Sequence, residues 1–469
     1  MTALLLWNVG NRDIAREQLP DRYAQLSVRE LGLRIAADGI DPSCIQTPIL
    51  DAALRTMDEE SPAPISIVLF CTDQPAIAGV HREKDTVTIS ALLQSLLMAR
   101  LGDACEFVRS EVLTNCDPSS YDVMHDAFER ALNGMVVEPE TPVYLGLSSG
   151  TPAANFALLV SAVKAFGDRV RPIYVKDGDD RGTLIDIAER LRRDELKRLA
   201  RSALNRFEFE QCRDLFERLG SGAPTLDLAE YARRRAQLNF SDAREALQRA
   251  QPMLSDADIG WTRSETERLD DLESGDSRAR LAELVSSIEM CYINDRYADL
   301  LGRIFRYQEA AFCLLCEQTL TLSESEHWPD GQFTEEFRSR LKNDETLCKK
   351  LSESNIDPNR GVSRWVLEQL ASIGINAVSD SSTQQRQKSL LRRLRRLDKL
   401  AALRNKSVIA HGYSGTSAEA IQIHDDNRPL EKLMRDIKDI AIKIGAPEPG
   451  WMSTVRDRLL ERLDDSWDR

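Results

Sequence analysis

PVYLGLSSGTPAANFALLVSAVKAF, residues 142–166, decides how the N-terminal part of this chain is read. Pro142–Leu147 is an apolar run of strand length, and residues 152–166 carry apolar positions at helical spacing. Between them stands Ser148-Ser149-Gly150-Thr151-Pro152. Gly150 allows close backbone approach, Thr151 can cap a helix, and Pro152 suits a first helical position. The N–H groups exposed at such a helix start favour a phosphate. Taken alone, the segment fits an ordinary capped helix equally well.

Working outward, Ala3–Val9, Ile65–Thr72, Glu106–Leu113 and Val170–Val175 are further strand candidates, with helices expected near residues 26–38, 86–101 and 119–133. The strand runs are nearly continuously apolar, which suits a parallel sheet covered on both faces. Strand–helix alternation of this kind implies a doubly wound, Rossmann-like α/β domain, whose ligands bind beyond the carboxyl ends of the strands. Those ends are polar here: Asn8-Val9-Gly10-Asn11-Arg12-Asp13, Cys71-Thr72-Asp73-Gln74 and Asn115-Cys116-Asp117-Pro118, besides the Ser148–Pro152 segment. Four polar loops on one sheet edge favour a binding site over a simple cap. Neither Gly-x-Gly-x-x-Gly nor Gly-x-x-x-x-Gly-Lys-[Ser/Thr] occurs, so a dinucleotide oxidoreductase or a P-loop NTPase is poorly supported.

After Lys176 the character changes. KDGDDRG is a turn-rich boundary, and from residue 183 the pattern is helical. The expected organisation is an α/β domain over residues 1–180, a helical connector over 181–285 and an all-α domain over 286–469. The 469 residues are too many for one ordinary core. No window approaches the roughly 18 apolar residues a membrane span needs, and the start, MTALLLWNVGNRD, lacks the basic region and apolar length of a signal peptide; a cytoplasmic location is expected. Cys313 and Cys316, the one close cysteine pair, lie in an apolar helical run and are expected as core thiols. The five histidines are dispersed, and no metal site is expected.

The formal net charge of −14 disfavours a protein that coats nucleic acid, yet residues 386–406, RQKSLLRRLRRLDKLAALRNK, hold nine Lys or Arg against Asp398 alone. This segment is either a local RNA-phosphate footprint or a solvated helix face paired with acidic neighbours. Leu390, Leu394, Leu397 and Leu403 supply its buried stripe. It runs into Arg404-Asn405-Lys406-Ser407-Val408-Ile409-Ala410-His411-Gly412. On a continuous helix, seven residues at roughly 100° each bring Arg404 and His411 onto one face, about 10 Å apart in rise, with Gly412 ending the helix. Metal-free RNA cleavage needs a group that handles a proton, which histidine does in the useful range, and a cation for the phosphorane charge, which arginine supplies. By itself such a pair arises more often from chance and core packing.

WNVGNRD, TDQ followed by HREKDT, NCDPSSYDVM and above all LGLSSGTPAANFAL resemble the CARF domain, the CRISPR-associated Rossmann fold. Arg404, the polar Asn405 and a histidine after six intervening residues resemble the HEPN ribonuclease motif, and DRYADLLGRIFRYQEAAFCLL resembles that domain's opening helix. Together they resemble the CARF–HEPN ribonucleases of type III CRISPR systems, of the Csm/Csx type. The resemblance implies a homodimeric CRISPR-associated endoribonuclease of antiviral defence that cuts single-stranded RNA without metal and is activated by cyclic tetra- or hexa-adenylate. It implies catalytic roles for Arg404, Asn405 and His411. Its ring-binding loops would be Asn8, Gly10, Asn11 and Arg12; Thr72, Asp73 and Gln74; and Ser148, Ser149, Gly150 and Thr151, with Asn115 and Asp117 from the third loop. Two rivals stand beside it: a non-catalytic ligand-sensing regulator that binds nucleic acid, and a nucleotide-modifying enzyme in the Rossmann half.

Overall fold

The computed structural model describes residues 2–41, 44–60, 64–343, 345–410 and 412–465. The chain divides into two compact units, Met1–Glu195 and Leu196–Arg469. In the first, β1 (Ala3–Asn8), β2 (Ile65–Asp73), β3 (Cys105–Thr114), β4 (Val143–Gly146), β5 (Val170–Tyr174) and β6 (Thr183–Leu184) form one sheet in the order β3-β2-β1-β4-β5-β6. All neighbours are parallel except β5 and β6. Helices α1 (Val28–Ala37), α2 (Pro48–Glu60) and α3 (Val87–Leu101) cover one face, and α4 (Tyr121–Asn133) and α5 (Pro152–Phe166) the other. β1, β2 and β4 are buried almost throughout, so their apolar runs are packed from both sides.

The expected strands and helices appear within a few residues of their sequence positions. Two elements were not anticipated. α2 lies where a single helix was expected between β1 and β2, because its apolar stripe is interrupted by Asp51, Arg55 and Asp58 on the outer side. β6 is only two residues long and antiparallel, too short to leave a pattern.

The chain runs outward from β1 to β2 and β3, then returns to build β4 and β5 on the other side of β1. The switch point is therefore the crevice between the carboxyl ends of β1 and β4. Both glycines there are required by contact. A Cβ on Gly146 would lie 2.0 Å from the Trp7 ring, and one on Gly10 would lie 2.3 Å from the backbone nitrogen of Gly150.

The second unit is helical, and the unit boundary falls inside α6 (Ile187–Asn205). Its apolar residues form two clusters. One draws on α7 (Phe209–Arg218), α8 (Ala223–Ala236), α9 (Phe240–Ala250) and α10 (Asp256–Ser274). The other begins in α11 (Ser277–Ile293) and α12 (Tyr297–Leu320), continues past the short helices α13 (Glu324–His327), α14 (Glu335–Asn343) and α15 (Glu345–Glu353), and includes α16 (Arg364–Ala377) and α17 (Ser381–Arg396). It is completed by α18 (Ala401–Lys406), α19 (Ala418–His424) and α20 (Leu430–Ile444). The last helix, α21 (Trp451–Asp465), packs Trp451, Val455 and Leu459 into the first cluster, although the sequence pattern groups it with residues 286–469. Cys313 and Cys316 sit on α12, and burial pushes the Cys313 thiol up to about 12, so both are protonated packing groups. Among the described residues no helix is long and apolar enough to cross a membrane.

Arg235 of α8 joins three helices. Its buried guanidinium pairs with Glu283 of α11 at 2.9 Å and with Glu265 of α10, and lies 4.5 Å from the Trp451 ring. Burial holds the Glu283 carboxyl above its ordinary range even against the arginine. Removing one partner of such a buried group leaves charge unpaired, at a cost of about 3–5 kcal/mol. Arg235→Ala should accordingly destabilise the helical unit by that amount in urea unfolding, while an exposed control such as Arg218→Ala should shift the midpoint little.

Candidate functional site

At the carboxyl edge of the sheet, a cavity of about 560 Å³ opens beside the switch point. Asn8, Gly10, Asn11, Thr72, Gln74, Asp117, Gly150 and Thr151 line it, so eight of the thirteen residues expected from the sequence as ligand contacts converge on one space. The other five stand elsewhere. Arg12 is exposed beside the cavity, and Asp73 pairs with Arg29 at 2.9 Å. Asn115 takes a positive φ of 58° in the turn after β3. The Ser148 hydroxyl accepts the Val175 N–H and ties the loop to the end of β5. Ser149 is buried behind Gly10.

Each lining loop has its own anchor. Thr151 caps α5 by accepting the Ala154 N–H at 3.1 Å, as the sequence expects, and its hydroxyl donates to the Pro118 carbonyl. The Asn8 amide donates to Asn155 at 2.8 Å, and Asn155 donates to the Leu147 carbonyl, which joins the β1 loop to α5. Gln74 is held by Asp85, whose buried carboxylate accepts its backbone N–H at 2.7 Å and its side-chain amide at 3.1 Å. Asp117 closes a turn on the hydroxyl and amide of Ser119, which hold its carboxyl below the usual range.

Three participants lie outside the thirteen. His81 and Lys84 line the cavity, where Lys84 supplies positive charge; they sit in the HREKDT stretch, which carries part of the resemblance in the sequence, although neither residue was singled out within it. Asp13 is fully buried beneath the β1 loop and accepts the Gly10 N–H at 2.7 Å and the Trp7 indole N–H at 3.1 Å. Burial pushes its carboxyl up to about 6, against the pull of the Gly10 amide, the Ser149 hydroxyl and the Trp7 indole. A cavity fitted with a helix N-terminus, backbone amides, Lys84 and His81 suits a phosphate-bearing ligand. A larger cavity, about 680 Å³, opens at the amino ends of the strands, but Glu106, Glu138 and Glu140 oppose Arg109 there and would repel an anion.

In the second unit, the basic segment is not one continuous helix. α17 ends at Arg396, residues Leu397–Leu400 form a 3₁₀ turn, and α18 stops at Lys406. Ser407 is extended, and both its hydroxyl and its N–H donate to the Arg404 carbonyl, at 2.7 and 3.0 Å, which terminates the helix. The continuous helix expected through this segment therefore ends at Lys406. His411 itself lies outside the described residues. Gly412 does not cap the helix either. It folds back so that its N–H donates to the Ser407 carbonyl at 3.2 Å, and a Cβ there would lie 1.9 Å from the Lys406 oxygen.

Part of the segment's charge is neutralised by acidic neighbours. Arg393 pairs with Asp436 and Asp439, Arg395 with Glu368, Arg396 with Asp425 and Asp426, and Lys399 with Asp426. The paired-face reading holds for these four of the nine, while Arg386, Lys388, Arg392 and Lys406 have no carboxylate partner among the described residues. Arg404 joins them. Among the described residues it meets no carboxylate; its guanidinium lies over Phe305 at 5.5 Å, its Nη1 donates to Asn405 at 3.3 Å, and its buried Nε has no partner. Asn405 is exposed. The loop rests on α12 through Ile409, which fills the space a side chain on Gly302 would take.

No family model matches the chain, and a comparison with curated proteins finds no match. Among solved structures the chain is similar to Enterococcus italicus Csm6 bound to cyclic hexa-2'-fluoro-hexa-dAMP, with a TM-score of 0.58 and 13% identity over 98% of this chain and 100% of that one. At that identity the likeness is one of fold, and it extends over both units.

Because Asp13 binds its proton more tightly folded than unfolded, its contribution to stability is complete below about pH 4 and is lost as pH rises through about 6. The stability of the native protein relative to Asp13→Asn, measured by urea denaturation, should fall by roughly 3 kcal/mol between pH 4 and 7, two pH units at about 1.4 kcal/mol each. A difference independent of pH would contradict the buried, protonated carboxyl.

Proposed function

We propose that the chain is a ligand-activated endoribonuclease of CRISPR-linked antiviral defence, acting as a cytoplasmic homodimer. The cavity at the carboxyl edge of the sheet takes a cyclic oligoadenylate, tetra- or hexa-adenylate, shared across the two-fold axis of the dimer. Arg404, Asn405 and His411 cut single-stranded RNA without a metal ion. The observation that carries the reading is Arg404: on the short helix that ends the basic segment, its guanidinium meets no carboxylate among the described residues and lies over Phe305 beside Asn405. Support for the activator comes from the eight converging loop residues and from the similar Csm6 chain, which is bound to a cyclic hexanucleotide.

The chemistry follows from these groups. The ribose 2′-oxygen attacks the adjacent phosphorus, the 5′-oxygen leaves, and the products are a 2′,3′-cyclic phosphate and a 5′-hydroxyl. Arg404 neutralises the charge that builds on the phosphorane oxygens. His411 moves the proton or positions the 2′-OH, and Asn405 orients the site. DNA, lacking the 2′-OH, is not cut. Activation requires the ring to bind the active arrangement more tightly than the idle one.

Purified protein should cut a fluorogenic RNA only after addition of a cyclic adenylate, and the matching ring size should raise the melting temperature while linear adenylates do not. Arg404→Ala should lower turnover roughly 100-fold or more, and His411→Ala should abolish cleavage. Unchanged cutting by both variants would remove the site assignment. Ligand-dependent DNA binding without RNA cleavage would favour a non-catalytic regulator instead.

A further inference from the structure

We propose that Tyr413 is a base-stacking platform that positions single-stranded RNA against Arg404, an inference that rests on the ribonuclease reading and adds a substrate contact to it. Tyr413 is 98% exposed, the most exposed aromatic side chain among the described residues. It does not sit on a loose loop. Gly412 before it donates to the Ser407 carbonyl at 3.2 Å, Ser414 after it donates to the Lys406 carbonyl at 2.9 Å, and Ser407 and Ser414 form a bridge. The contact of Gly412 with the Lys406 carbonyl leaves no room for a side chain, so the backbone on both sides of the ring is pressed onto the end of α18. An aromatic ring is thus presented to solvent from a fixed base.

Its surroundings specify what would cover it. Arg404 and Lys406 have no carboxylate partner among the described residues, whereas Arg393, Arg395, Arg396 and Lys399 are all neutralised. The uncommitted cations of α18 and the exposed ring therefore coincide at one end of one short helix. Cation for phosphate and aromatic face for base is the pairing by which proteins hold single-stranded nucleic acid. Lys406 favours RNA over a second copy of the chain as the occupant, because lysine is depleted at protein–protein interfaces and suits a phosphate. Stacking is tolerant of base identity, because every base has a π-face, so Tyr413 would hold the strand in place more than it would select a sequence.

The test uses the full-length protein and a 2′-O-methyl oligoribonucleotide, which binds but cannot be cut, carrying 2-aminopurine at successive positions. Native protein and Tyr413→Phe should quench the probe at one position. Tyr413→Ala should lose that quenching and bind roughly tenfold more weakly. On cleavable RNA it should raise KM by more than it lowers kcat. Undiminished quenching in Tyr413→Ala, or absence of quenching in the native protein, would overturn the proposal. So would a Tyr413→Ala protein that sediments as a monomer where the native protein is a dimer, since the ring would then serve the partner copy. Native protein that quenches but fails to cut unmodified RNA would leave the stacking role standing and refute the ribonuclease reading alone.

Discussion

The close approach of two backbones at the switch point governs the first unit. Gly10 and Gly150 come together so tightly that neither loop can carry a side chain toward the other, and Asp13 holds the arrangement from beneath by accepting the Gly10 N–H and the Trp7 indole. Trp7 in turn occupies the space that Gly146 vacates on the neighbouring strand. One buried carboxylate thereby ties the end of β1 to its own loop, while glycines let β4 and its loop close over it. The cavity exists because this junction brings the polar ends of β1 and β4 to one place and leaves the loops after β2 and β3 to wall it from the side.

That cavity is built with few formal charges. Its lining offers amides, hydroxyls and a helix N-terminus, with Lys84 and His81 at its margin. Fixed dipoles suit a ligand that must be held and later released, because they need no reorganisation and carry little penalty when the site is empty. Asp13 adds a sensitivity to pH near 6 directly under the loop that supplies Asn8 and Asn11. In the second unit, the corresponding constraint is the end of α18. Ser407 turns the chain out of the helix and Gly412 brings it back onto the Lys406 carbonyl. The loop so formed presents Tyr413 at the end of the helix that carries Arg404.

Acidic residues do unequal work along the basic segment. Asp425, Asp426, Asp436, Asp439 and Glu368 lie on helices and turns packed against α17 and the 3₁₀ turn, and they neutralise the arginines facing them. Arg386, Lys388 and Arg392 on α17 and Arg404 and Lys406 on α18 meet no carboxylate among the described residues, so the positive charge that remains is carried by these few side chains. A protein with a net charge of −14 can offer RNA a cationic spot without attracting it over the whole surface. The buried Arg235 junction plays a different part: it locks α8, α10, α11 and the returning α21 into one cluster.

Much of the first unit was legible in the amino-acid sequence, since apolar runs buried on both faces leave a local signature and the Ser148–Pro152 loop carries its capping chemistry in adjacent residues. Arg404 and Asn405, adjacent in the chain, were singled out on the same kind of local pattern. Other features required the folded chain. Asp13, His81 and Lys84 became part of a site only when strand order placed their loops together. Which of nine basic residues remain uncommitted depended on carboxylates up to 46 positions away, as in Arg393 and Asp439. The basic segment's last helix stops at Lys406 because Ser407 hydrogen-bonds back to the Arg404 carbonyl, a competition between side chain and helix that periodicity does not record. Local pattern set the elements; their termini, their charge balance and the shape of the cavity were decided by contacts between residues distant in the chain.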